Sequence, residues 1–175
     1  MDEPSLHTLG KHLQTLRQRR GWSLSQLAAR AGIAKSNLSR LEQGDGNPTL
    51  DTLWRLAIQL DVPFGALVAP ITATLGEAGV RVQLLDRGHD IPAVDAYWMH
   101  CEPDTERLAA PHSPGTQETI CMIGGSLAAG PVESLQTLGA GDRHTFAADR
   151  PHAYRTTREA ATFLVTIVYA GGQQP

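Results

Sequence analysis

Residues 23–44, SLSQLAARAGIAKSNLSRLEQG, hold two short helical repeats separated by one glycine, and few other folds can be built from them. Ser23 is placed to cap the first repeat, because its hydroxyl can accept from an orphan backbone N–H. Gln26, three residues on, completes a capping box. Leu24, Leu27, Ala28 and Ala31 then recur at helical spacing and give one apolar face. Gly32 can take a turn conformation that is costly for a residue with a Cβ. Ile33, Leu38 and Leu41 can close over the first helix. That leaves Lys35, Ser36, Asn37, Ser39 and Arg40 on the opposite face of the second. Gly44 and Gly46 stop it, and Asn47-Pro48 enforces a non-helical link.

The flanks extend the pattern. Leu6, Leu9, Leu13 and Leu16 repeat at three and four residues, so an amphipathic helix precedes the pair and ends in RQRRG, residues 17–21. After Pro48, Thr49 can cap another helix with Leu50, Leu53, Leu56, Ala57 and Leu60 on its apolar side. A short last turn from Pro63 to Val68 completes five helices. Periodicity alone describes a small helical bundle whose leucines are core. The added combination of Leu-Ala, Ala-Gly-Ile, a polar face, Leu-Glu-x-Gly and Asn-Pro resembles the lambda-repressor-like family of the xenobiotic-response-element type, over residues 9–69 without gaps.

That resemblance implies a DNA-binding domain whose second motif helix lies in the major groove. Mapped by position, Lys35, Ser36, Asn37, Ser39 and Arg40 are the candidate reading residues. Arg or Lys can bond guanine O6 and N7, and Asn can bond adenine N6 and N7. Ser23 and Gln26 sit where free N–H groups and the helix dipole suit a phosphate. Lys11, Arg17, Arg20 and Gln43 are candidates for backbone contacts that position without specifying. For each basic residue the plainer reading is a solvated surface charge. One motif covers one half-site, so a homodimer spanning two half-sites about 34 Å apart is expected on a double-stranded operator.

Charge distribution agrees with selective binding. Residues 1–44 carry seven Lys and Arg against three Asp and Glu, residues 70–175 seven against twelve, and the whole chain is near −3. That balance argues against sequence-blind coating of nucleic acid. No apolar run has the length of a membrane span and the N-terminus does not read as a signal peptide, so a cytoplasmic protein without membrane contact is expected. Cys101 and Cys121 lie outside any C-x-x-C pattern and are expected to be reduced, buried small hydrophobes rather than redox or metal groups.

Composition changes near Pro70, from helical periods to β-branched residues, glycines and short alternating runs. The expected division is a helical domain over 1–69, a linker over 70–78 and a second domain over 79–175, with residues 70–80 reading as the hinge or the first strand. Strands are expected over 80–86, 94–101, 117–123, 133–138, 142–147, 152–157 and 161–169. Many short strands with regular turns suggest a sandwich or small barrel. Two segments narrow this: His112-Ser-Pro-Gly-Thr-Gln-Glu118 followed by Gly125, and Gly141-Asp142 followed by Phe146 and Pro151-His152. They resemble the two motifs of the cupin superfamily over about 79–170, which implies an all-β double-stranded β-helix barrel behind the five-helix bundle. The chain departs from the pattern: Pro114 stands where a second histidine is usual, and Ala147, Asp149 and Thr156 replace a proline, a glycine and an asparagine.

The matching residues His112, Glu118 and His152 supply two imidazoles and a carboxylate, which suits Zn²⁺ with an open position or Fe²⁺ as a facial triad. Alternatively the same residues are polar pocket groups that touch an organic ligand directly. If His152 points inward, strand alternation sends Tyr154 inward too. Glu118 likewise carries Ile120 and Met122 inside and leaves Cys121 facing away. Met122, Tyr154 and Tyr97 are the candidate ligand-contacting residues. The whole chain reads as a ligand-responsive transcriptional regulator whose barrel senses a small metabolite, amino-acid-like by resemblance and by its compact polar set, with no catalytic residue assigned. The competing reading is a metal-dependent cupin oxygenase or isomerase joined to a DNA-binding domain. A third is a barrel that only dimerises.

Overall fold

The computed structural model describes residues 3–71, 74–88 and 90–170. The chain divides into two compact units, Met1–Thr74 and Leu75–Pro175. Among its described residues the first holds five helices: α1 Glu3–Arg19, α2 Leu24–Ala31, α3 Lys35–Gln43, α4 Leu50–Leu60 and α5 Phe64–Val68. Their apolar stripes meet in one core, where Leu13, Leu27, Leu38, Leu53, Leu56, Phe64 and Leu67 are almost wholly buried.

Local chemistry sets the helix ends. Ser23 Oγ accepts from the Gln26 N–H while Gln26 Oε1 accepts from the Ser23 N–H, so the expected capping box is formed. Gly32 ends α2 in the left-handed region at φ 63°. Thr49 caps α4 by accepting from the Thr52 N–H. Gly10 serves packing instead: a Cβ there would lie 2.4 Å from the Leu41 carbonyl oxygen, so only glycine lets α1 approach α3 this closely. One expected DNA contact is overturned here. Arg17 is buried, and its guanidinium holds both carboxylate oxygens of buried Glu42 at 2.7 Å and donates to the Trp22 carbonyl. A basic residue in a basic stretch looks like a surface group, but position 17 lies one turn beyond Leu13, on the buried side of α1. Arg20 is also turned to its own unit, onto the Leu60 carbonyl and Asp61.

Among the described residues the second unit holds ten strands in two antiparallel sheets. In chain order they are β1 Leu75–Glu77, β2 Val80–Arg87, β3 Ala93–Cys101, β4 Glu106–Ala109, β5 Gln117–Gly125, β6 Leu127–Pro131, β7 Gln136–Leu138, β8 Arg143–Ala147, β9 His152–Arg155 and β10 Ala161–Tyr169. The larger sheet runs β1-β2-β3-β10-β5-β8 and the smaller β4-β9-β6-β7. Alternation along β3, β5 and β10 turns one face inward. Asp95, Ile167, Glu118 and Phe146 form one transverse row of that face, and Tyr97, Val165, Ile120 and His144 the next. The barrel is therefore filled by side chains of two packed sheets, as its alternating sequence requires.

Three details differ from the sequence reading. The linker is shorter than 70–78: Leu75–Glu77 pairs with β2 through a two-residue turn at Ala78 and Gly79, both at positive φ, a geometry that matches strand twist. Residues 72–73 of that segment, and 171–175 of the expected barrel domain, lie outside the described residues. Strands β4 and β6 were not expected, and the strand expected over 133–138 is confined to β7. Cys121 stands exposed on the outer face of β5, as alternation requires, so only Cys101 is a buried thiol.

Candidate functional site

In the first unit the polar residues singled out by spacing share the open side of α2 and α3. Lys35, Ser36, Asn37, Arg40 and Gln43 are exposed and Ser39 is half-buried, while Leu38 and Leu41 anchor α3 beneath them. No side chain caps α3, and Lys35, Ser36 and Asn37 are its first three residues, where backbone N–H groups lack intrahelical partners. The C-terminal half of the helix is tied down. Gln43 Nε2 donates to Ser39 Oγ at 3.3 Å, and Arg40 Nη2 donates to the Asp45 carbonyl at 3.0 Å. The capping box orients Gln26: because its Oε1 accepts from Ser23, its amide nitrogen is the end left for an acceptor outside the helix. Ser23 Oγ is already used as a cap acceptor, which leaves its O–H to donate.

In the second unit three separate stretches of chain converge. His112 lies in the loop before β5 and is fixed by its backbone N–H to the Ala148 carbonyl. Glu118 comes from β5, and His152 and Tyr154 from β9. All four are buried. His112 Nε2 is 2.6 Å from Glu118 Oε1, His152 Nε2 is 3.4 Å from the same oxygen, and the Tyr154 hydroxyl donates to Glu118 Oε2. The His152 ring packs edge-on against those of His112 and Tyr154 and at a tilt against Phe146.

The charges are mutually stabilised. Burial by itself would raise the Glu118 carboxyl, but the pull of His112 and His152 outweighs it and holds the group well below the usual carboxylate range. For His152 burial works against the charged ring, and the Glu118 carboxylate more than offsets this, so its proton affinity is raised. Burial, reinforced by Glu118, keeps the Tyr154 hydroxyl protonated.

The three residues can hold a metal ion: one donor atom from each lies within 4.8 Å of the others. The fit is chemical as well as spatial. His152 Nδ1 lies 2.9 Å from the Arg150 carbonyl, which can only accept, so Nδ1 carries the proton. In a neutral ring Nε2 is then a lone pair, and it is buried without a hydrogen bond while facing a carboxylate oxygen. Two acceptors face to face need a proton or a cation between them. A backbone carbonyl that fixes the tautomer of an imidazole is also the usual support of a metal ligand.

Of the other residues expected to meet a ligand, Met122 is buried on the inner face of β5 and Tyr97 on that of β3, where the Tyr97 hydroxyl donates to Asp95 Oδ2 at 2.8 Å. Two buried charged residues of the barrel escaped the sequence reading, Asp95 and Arg107. Asp95 also accepts from the Tyr169 hydroxyl at 2.8 Å. The signal was parity: Asp95 shares it with inward Tyr97, Met99 and Cys101, and Arg107 with inward Ala109.

The helix-turn-helix family HTH_3 matches residues 13–67. The HTH-type transcriptional regulator SutR of Escherichia coli (strain K12) is 30% identical over 168 residues, which span 92% of this chain and 94% of SutR. SinR of Bacillus subtilis (strain 168), also an HTH-type transcriptional regulator, is 38% identical over 61 residues, 34% of this chain and 55% of SinR. Among solved structures, an HTH_3 family transcriptional regulator from Vibrio cholerae superposes with a TM-score of 0.87 at 24% identity, covering 98% of this chain and 100% of that one. The Cupin_2 domain of an XRE family transcriptional regulator from Enterobacter cloacae matches with a TM-score of 0.50 at 26% identity, over 53% of this chain and 99% of that domain. No helix among the described residues is long and apolar enough to cross a membrane.

Proposed function

The chain belongs to the HTH-type transcriptional regulators, and from that premise we propose that α3 reads an operator while the cupin-like barrel senses a small polar metabolite through a metal held by His112, Glu118 and His152. The observation that carries the reading is the exposed polar stripe of α3, packed by Leu38 and Leu41 beside the capped helix α2. Lys35, Ser36 and Asn37 supply donors and acceptors at the helix start, where base edges are reached. Arg40 and Gln43, tied to Asp45 and Ser39, act further along. Ser23 and Gln26 turn their remaining donors to a phosphate. The protein acts as a homodimer because an operator of two half-sites needs two reading helices.

In the barrel, two imidazoles and one carboxylate suit Zn²⁺ or Fe²⁺ with open coordination positions. Such a centre supplies a Lewis-acidic point onto which an amino-acid-like effector can fasten. Tyr154 holds the carboxylate ligand in place, and Met122 and Tyr97 line the interior beside it. The effector controls transcription only by binding two states of the dimer unequally.

Selection from random duplexes with the full-length protein would define the operator. Asn37→Ala and Arg40→Ala are then expected to lower the ratio of specific to random binding, with each good base contact worth about 1–3 kcal/mol. An unchanged ratio in both variants would remove α3 as the reader. Metal content of the purified protein, compared with His152→Ala, tests the centre. The same donor set also favours a second reading, a metal-dependent oxygenase or isomerase. Catalytic turnover of a bound metabolite would select that reading instead.

A further inference from the structure

Among the described residues, the second unit buries three side chains that carry full charges, Asp95, Arg107 and Glu118, beside the imidazoles of His112 and His152. Arg107 is the unexpected one. Strand β4 inverts the usual hydrophobic order: Leu108 is 61% exposed, whereas Arg107 is 9% exposed. The register sets Arg107 opposite Tyr154, whose hydroxyl donates to Glu118, and sets Ala109 opposite His152. Arg107 thus projects into the same interior as the His112–Glu118–His152 cluster, from the strand next to β9.

The sum of buried charge points to what completes this interior. A divalent cation on His112, Glu118 and His152, together with Arg107 and Asp95, leaves one net positive charge inside the barrel. Burying an unbalanced charge is costly. A neutral ligand leaves that cost in place, a cation increases it, and a single anionic group removes it. An arginine also matches the planar geometry of an oxyanion, which it can hold through two parallel N–H donors. Arg107 has polar interactions within the protein. Five N–H donors let one guanidinium serve a protein acceptor and a ligand together.

We propose that the effector is a small organic anion and that Arg107 holds its oxyanion beside the His112–Glu118–His152 centre. The inference rests on the sensing and metal reading above and names the effector's chemical class. Its test is calorimetric titration of the zinc-loaded full-length protein with acetate and lactate, each against its uncharged counterpart acetamide or lactamide. The acids are expected to bind, with each amide weaker by about tenfold or more, as loss of a charge-assisted bond implies. Arg107→Lys, which keeps the charge but not the fork, is expected to weaken the acids by about tenfold while zinc content stays unchanged.

Equal binding of acids and amides, binding of no acid, or undiminished acid binding by Arg107→Lys overturns the proposal. If the lysine variant fails to fold, the acid–amide comparison on the unaltered protein decides it. If the unaltered protein takes up no zinc, the metal reading falls, and acid preference in the metal-free protein alone supports or overturns the role of Arg107.

Discussion

The polar side chains of α2 and α3 stand in water on two helices that are held by bonds between near neighbours, whereas Glu118 and its partners are sealed inside a barrel and come from strands far apart in sequence. The difference has a physical origin. A helix satisfies its own backbone and needs only a cap and an apolar stripe, so its outer face is free to carry whatever residues a partner requires. A buried polar cluster must satisfy every member at once, because an unpaired polar group in a low-dielectric interior is expensive. Hence Ser36 or Asn37 can be changed at small cost to folding, while His112, Glu118, His152 and Tyr154 stand or fall together. The front unit puts its chemistry where it meets another molecule. The barrel keeps its chemistry in a buried interior.

The largest expected effect follows from that contrast. Glu118 accepts from His112 and Tyr154 and faces His152. In the presence of a chelator, Glu118→Ala should destabilise the second unit by about 3–5 kcal/mol, the usual consequence of breaking a buried pair by removing one partner. Urea unfolding followed by the barrel's tyrosine signal measures it, and a loss below 1 kcal/mol would mean that the cluster does not act as a unit. The front unit offers an internal control in its buried Arg17–Glu42 ion pair. Arg17→Ala strands Glu42 and is expected to cost about 3 kcal/mol, while Arg17→Met combined with Glu42→Leu should recover most of that loss. If the double variant is no better than the single one, the pair matters through the Trp22 carbonyl rather than through charge.

The same contrast explains what could be read from the chain. The capping box of Ser23 and Gln26, the left-handed Gly32 and the Thr49 cap all act over three or four residues, so spacing alone reveals them. The Arg17–Glu42 pair spans 25 residues and has no local mark beyond the place of Glu42 four residues after buried Leu38. In the barrel, His112, Glu118 and His152 were legible through resemblance to known motifs, and strand parity then correctly turned Ile120 and Met122 inward. Strands β4 and β6 were missed because ERLA and LAAGP contain no β-branched or aromatic residue; their pairing with β9 makes them strands. Arg107 was missed because Leu108 is the residue that a hydrophobic pattern would bury.

Smaller effects sharpen the comparison. Ser23→Ala removes a cap from an exposed helix end and should cost the front unit about 1 kcal/mol. It is also expected to weaken binding to specific and random duplexes alike, since a phosphate contact carries no sequence information. Gel shifts on both kinds of DNA measure this. A change confined to the specific duplex would make Ser23 a reader rather than a positioning residue.

The two cysteines test burial with almost no energetic cost. Cys101 lies on the inner face of β3 and Cys121 on the outer face of β5. Burial pushes the Cys101 thiol up to about 11, against the opposing pull of Arg107. A thiol-specific chromogenic reagent should therefore titrate one cysteine promptly in the folded protein and the second only after unfolding, because the thiolate is the reactive form. Cys121→Ser should abolish the prompt reaction, and raising the pH to 9.5 should not bring Cys101 into it. The sign for stability follows from the same shift. The unfolded thiol ionises near ~8.5 while the folded one resists, so this contribution is fully present below that pH and is lost as pH climbs toward 11. Prompt reaction of both thiols at neutral pH would mean that the larger sheet opens far more readily than its buried inner rows imply.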